Sequence, residues 1–121
     1  MAVSSFRDLL VWQKACDLAE AVHVTAKRFP REELYGLAAQ MRRSSASVSA
    51  NIAEGAGRGS SAEFCYHIGV ALGSLYETRT WIELARRFGY LSPQETQTLD
   101  SLADEVGAML HALRAKLRAR K

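Results

Sequence analysis

Residues 42–64 read RRSSASVSANIAEGAGRGSSAEF. Apolar residues at helical spacing, Val48 and Ile52, run into three alternating glycines, Gly55, Gly57 and Gly59, with Arg58 between the last two. Two readings compete, a loop that cradles phosphate and a joint between two helices. A P-loop needs a lysine after its glycines, a dinucleotide loop needs GxGxxG spacing, and both follow a β-strand. GAGRGSS has neither feature, and the pattern before it is helical. Ser60-Ser61-Ala62-Glu63 has instead the spacing of a capping box, so a new helix starts there. The stretch reads as a helix-loop-helix joint. An anion held by free N–H groups beside Arg58 is the alternative.

Working outward, the first segment covers about residues 5–29, with Leu9, Trp12, Cys16, Ala19, Val22, Ala26 and Phe29 at three- and four-residue spacing. Phe29-Pro30 stops it, because a residue before proline is pushed out of the helical region. The second segment covers about 32–55, starts with Glu32 and Glu33 in its first turn, and carries Leu37, Met41, Ser45, Val48 and Ile52 on one face. The third covers about 61–88 and stops at Gly89. Ser92-Pro93-Gln94-Glu95 repeats the capping device and opens a fourth, about 93–118. No segment alternates with a period of two. Short connections between helices of this length predict one all-α domain, an antiparallel up-down-up-down four-helix bundle.

The third helix is apolar on two sides. Phe64, Ile68, Ala71, Leu75 and Ile82 share one stripe, and Tyr66, Val70, Trp81 and Leu84 share another, nearly opposite. Four helices offer no central position, so the second stripe is expected to face further copies of the chain, with cover by loops or long side chains as the alternative. Gly69-x-x-x-Gly73 would admit close approach of another backbone.

Composition excludes several classes. The 121 residues are 48% apolar and 24% charged, an ordinary globular balance. The sequence MAVSSFRDLLVWQ lacks the layout of a signal peptide, and no apolar run is long enough to span a bilayer. Cys16 and Cys65 have no CxxC spacing. These features predict a cytoplasmic protein with free thiols and no membrane partner. Enzyme chemistry finds little support. A di-iron bundle needs two Glu-x-x-His motifs, and Glu20-Ala21-Val22-His23 supplies one. His23, His67 and His111 fall on different helices without a nucleophile at a readable spacing. No catalytic residue, metal or cofactor is expected.

Net charge is +3, and its distribution matters more than its size. In an antiparallel bundle Arg7, Arg58 and the tail (Arg114, Lys116, Arg118, Arg120, Lys121) gather at one end, with no acid after Glu105 to offset the tail. Arg42 and Arg43 lie along the second helix. Basic last turns complement the helix dipole, which accounts for some of this. The functional expectation is contact with phosphates of RNA or DNA through Arg42, Arg43, Arg58, Arg114, Lys116, Arg118, Arg120 and Lys121. The alternative is a scaffold for a protein partner.

FRDLLVWQKACDLA, FPREELYGLAAQMRR, NIAEGAGRGSSAEF and GSLYETRTWIELARRFGYL, in this order, resemble the four-helix-bundle proteins of 23S rRNA intervening sequences over about residues 6–91. The resemblance implies small cytosolic bacterial proteins that assemble as a ring, a homopentamer. It also implies the fold of the accessory variability-determinant protein of diversity-generating retroelements, which binds nucleic acid. Family members commonly carry proline where this chain has Ser49, so a kink in the second helix is not expected here. Asn51, Glu54, Gly55 and Arg58 read as a helix terminus in which Glu54 pairs with Arg58. The rival reading places Asn51 and the arginines on a ligand-facing surface.

Overall fold

Helix boundaries follow local chemistry at most termini. The computed structural model describes residues 5–120. It has α1 (Leu10–Ala26), α2 (Leu37–Ala56), α3 (Ser61–Arg87) and α4 (Pro93–Arg118), with single 3-10 turns at Phe6–Asp8 and Arg31–Glu33. No strand occurs among the described residues. At α4 the capping box is complete: Glu95 N–H donates to Ser92 Oγ at 3.0 Å and Ser92 N–H to Glu95 Oε1 at 2.9 Å, with Pro93 next in line. Before it, Gly89 at φ +83 ends α3 while Tyr90 N–H reaches the Ala85 carbonyl at 2.9 Å, a left-handed cap that suits glycine.

Four termini depart from expectation, one of them the end of α1, which comes at Ala26 and not at Phe29-Pro30. The box at Ser60 is half made: Glu63 N–H donates to Ser60 Oγ at 3.1 Å, but the Glu63 carboxylate takes the Ser60 hydroxyl, at 3.2 Å, in place of its N–H. The first helix does not start at residue 5, because Ser5 caps a 3-10 turn and Leu9 is extended before α1 begins. The second does not start at 32. Its residues 31–33 form a separate turn, and the Glu33 carboxylate caps α2 from outside, accepting Leu37 N–H at 3.0 Å and Tyr90 O–H at 2.8 Å. The Leu37 N–H bond and then Tyr90 hold Glu33 below the usual carboxylate range.

Side-chain pairs fix the topology. Cys16 with Ser49 joins α1 to α2, Ser47 with Ser74 joins α2 to α3, Tyr76 with His111 joins α3 to α4, and Lys14 with Glu105 joins α4 back to α1. A second pair on each of three seams runs in the opposite sense: Asn51–His67, Arg79–Asp104 and Arg28–Glu95. These neighbours are therefore antiparallel, and no Cα of one diagonal helix comes within 8 Å of a Cα of the other. The ring of four encloses a core built from Leu18 and Val22, Met41, Val48 and Ile52, Ile68, Leu75 and Ile82, and Leu99, Val106 and Leu110, all buried. Each such side chain contributes about 1.5–3 kcal/mol on burial.

The expected faces of α2 and the inner stripe of α3 hold. On α1 the row is rotated: Trp12, Cys16 and Ala19 are half-buried, and Val11, Ala15 and Leu18 join Val22 and Ala26 in the core. Both rows have helical spacing and share their last two members, so spacing alone does not separate them. α2 runs unbroken through Ser49, whose hydroxyl donates to the Ala46 carbonyl at 3.1 Å.

Candidate nucleic-acid interface

The NIAEG stretch is built into the α2–α3 seam. Asn51 Nδ2 donates to the Ser47 carbonyl at 2.9 Å and to Ser47 Oγ at 3.1 Å, while its Oδ1 accepts from His67 Nδ1 at 3.4 Å. Ser74 Oγ donates to the same Ser47 Oγ at 3.0 Å, and deeper in the seam Thr78 Oγ1 donates to Ser44 Oγ at 2.7 Å. Outward, His67 Nε2 lies 3.9 Å from Glu54, which pairs with Arg58 at 2.5 Å. That hydrogen bond is the main reason the Glu54 carboxyl sits below its ordinary range and the Arg58 guanidinium above its own. A polar ladder thus follows the seam from the core to the surface, and its buried groups are satisfied along the way.

The three glycines have separate tasks. Gly55 is buried, and a Cβ there would lie 2.7 Å from His67 Cβ and 2.9 Å from Phe64 Cδ1. Gly57 caps α2 at φ −85, and Gly59, at φ +90, turns the chain into α3. Their arrangement serves a close helix-loop-helix joint.

Beside the joint, the first turns of α3 meet the last turns of α4. Arg114 and Arg118 lie along a groove of about 420 Å³ with Tyr66, Gly69 and Val70 on its other side. A Cβ on Gly69 would meet an Arg114 nitrogen at 4.0 Å, an ordinary contact, so the groove does not require glycine there. The groove shares Ala62, Cys65 and Arg118 with a second hollow of about 540 Å³ that Arg120 lines. It shares Ala62 and Tyr66 with a third, lined by Arg58 and His67. Tyr66 is 68% exposed between them. Arg114 meets His111 Nδ1 at 3.4 Å, and Arg114, Lys116, Arg118 and Arg120 have no ion-pair partner among the described residues.

The structure divides the basic residues that the sequence grouped. Arg114, Lys116, Arg118 and Arg120 share one end of the bundle, and Arg58 is there too but spends its charge on Glu54. Arg42 and Arg43 sit near the start of α2, at the other end, with Arg43 exposed and Arg42 half-buried against α1. Lys121 lies outside the described residues. The outer stripe of α3 divides as well. Tyr66 and Val70 are exposed beside Arg114 and Arg118, while Trp81 and Leu84 are half-buried, Trp81 packing against the core.

The histidines are dispersed: His67 joins the ladder, His111 accepts or donates at Tyr76 O–H at 2.8 Å, and His23 is exposed on α1. No group of three or more His, Cys, Asp or Glu side chains that could hold a metal occurs among the described residues. Both cysteines are free and half-buried, and no described helix is long and apolar enough to cross a membrane. Sequence spacing did not point to the Asn51–His67 contact or to Tyr66 beside Arg114 and Arg118. Each depends on the register between two helices.

Comparison with known proteins supplies the context. No curated protein matches the chain. A solved structure, that of a protein of unknown function from the S23 ribosomal protein family of Bacteroides thetaiotaomicron, shares the fold with a TM-score of 0.81 at 24% identity, over 87% of this chain and 98% of that one. The description of the family matched over residues 7–112 is 23S rRNA-intervening sequence protein, and with that much of the bundle covered, the chain belongs to this family.

Proposed function

We propose that the chain is a non-enzymatic bundle that binds RNA or another nucleic acid through the end where α4 terminates. One observation carries the reading: Arg114 and Arg118 line a groove with the exposed ring of Tyr66, Arg120 lines the hollow that adjoins it, and these three and Lys116, on the same last turns of α4, have no ion-pair partner among the described residues. A groove with cations along one wall and an aromatic face on the other suits a single strand, its phosphates on the arginines and one base stacked on the tyrosine. The protein works as a homo-oligomer in the cytoplasm, a ring of five as the resemblance implies, with contacts from the outer stripe of α3 beyond Tyr66, whose ring stays open to the strand, and with its thiols reduced.

Binding of a fluorescent single-stranded RNA, read by anisotropy, tests this on protein of known mass in solution. Leu117 is 4% exposed in the core, so the tail is neutralised and not deleted. The R114Q/K116Q/R118Q/R120Q variant is expected to bind at least about tenfold more weakly. Unchanged affinity in a folded variant overturns the reading. A second reading, a scaffold for a protein partner, is favoured by Tyr35 at 91% exposed and Phe88 at 55% at the other end of the bundle. Absence of any RNA binding at low salt would favour it.

A further inference from the structure

We infer that a second anion site, for a small organic phosphate of about nucleotide size, lies between α1 and α2 at the end of the bundle remote from the tail. Lys27, Arg31 and Arg42 line a cavity of about 320 Å³ there, with Phe29, Pro30 and Leu34 as its apolar wall. The volume is at the lower limit of ordinary ligand pockets, which run from about 300 to 1,000 Å³.

Charge points to the class of ligand. Three other arginines at this end are matched, Arg28 with Glu95 and Arg86 and Arg87 with Glu83, while Arg43 is exposed on α2 outside the cavity. Lys27, Arg31 and Arg42 have no ion-pair partner among the described residues, and no carboxylate lines their cavity. Glu33, close in sequence, is committed to Leu37 N–H and Tyr90 O–H. Three like charges around one hollow repel one another until an anion enters.

Arg42 adds a directional requirement. Its Nε is buried and has no hydrogen-bond partner. Buried donors are nearly always satisfied, and a turn of the Arg42 side chain toward an anion entering the cavity would give this one an acceptor oxygen. A phosphate offers several oxygens to a guanidinium in a geometry that a lysine cannot match. The carbon portion of the ligand would then rest on Pro30 and Leu34, the latter 47% exposed.

This site is separate from the proposed RNA surface. Sixteen positions of α2 and its cap divide Arg42 from Arg58, roughly 24 Å at helical rise, so one phosphate cannot serve both ends. The inference therefore stands or fails without the RNA reading.

Calorimetric titration with adenosine 5′-monophosphate, inorganic phosphate, adenosine and a ten-nucleotide RNA tests it on the whole chain. Adenosine monophosphate is expected to bind more tightly than phosphate, and adenosine not at all. The exposed-site variant K27Q/R31Q should lose roughly tenfold or more, and R42K, which keeps the charge but lacks Nε, a similar amount. The tail variant R114Q/K116Q/R118Q/R120Q should bind the mononucleotide unchanged. Equal affinity in wild type and K27Q/R31Q overturns the inference. So does oligonucleotide binding that depends on Lys27 and Arg31 while the mononucleotide fails to bind, since the hollow would then belong to a nucleic-acid path.

Discussion

Gly55 and His67 define how closely α2 and α3 approach: a Cβ on Gly55 would stand 2.7 Å from His67 Cβ, inside any real carbon contact. The Phe64 carbonyl oxygen, at 3.3 Å from the same point, belongs to backbone and cannot swing aside. G55A is therefore expected to force the helices apart and destabilise the fold by about 1–3 kcal/mol, despite alanine's better helix propensity. Urea denaturation checks this, and a stability equal to wild type would show that the seam is loose.

The neighbouring glycines should respond differently. Gly57 has φ −85 and only ordinary 3.6 Å contacts for a Cβ, whereas Gly59 has φ +90 in open space. G57A should be neutral within about 0.5 kcal/mol, and G59A should cost about 1 kcal/mol through backbone strain alone. Thermal melts of the pair would separate strain from crowding.

Asn51 links three partners across the ladder, Ser47, His67 and, through Ser47, Ser74. N51A leaves part-buried polar groups unmatched and is expected to cost about 1–3 kcal/mol. A double-mutant cycle with H67A should give a coupling of about 0.5–1.5 kcal/mol. Zero coupling would mean that the 3.4 Å contact carries no energy.

Glu83 accepts from both Arg86 and Arg87 near the end of α3, and these bonds lower its pKa from the ordinary 4.5 to about 2. The folded value is depressed, so the contribution is present above pH 4.5 and lost as pH falls toward 2. E83Q should flatten the fall in stability within that window and leave the curve above it parallel to wild type. The group is exposed, so 1 M salt should shrink the difference.

Much of the fold was legible because its punctuation is local. Ser92, Pro93 and Glu95 form a cap within four residues, and Gly89 stops α3 by its own conformation. The start of α2 was not legible, because Glu33 caps from four residues away and leans on Tyr90, which is remote in sequence. The rotation of α1 was hidden by two helical rows that share Val22 and Ala26. At the candidate site, charge and end could be read from topology. Pairing could not: Arg58 is neutralised by Glu54, and Arg42 faces α1 near the opposite end from the tail. Tyr66 belongs both to the expected self-association stripe and to the lining of the basic groove, a coincidence set by the α3–α4 register.

The salt dependence of RNA affinity tests the central claim most directly. Four phosphate contacts per protomer to a single strand predict a slope of log K against log salt near −3, and neutralising Arg114, Lys116, Arg118 and Arg120 should bring it to about zero. A steep wild-type slope that collapses in this variant is the predicted result. A slope unchanged by the four substitutions would place the phosphates elsewhere on the molecule and contradict the account.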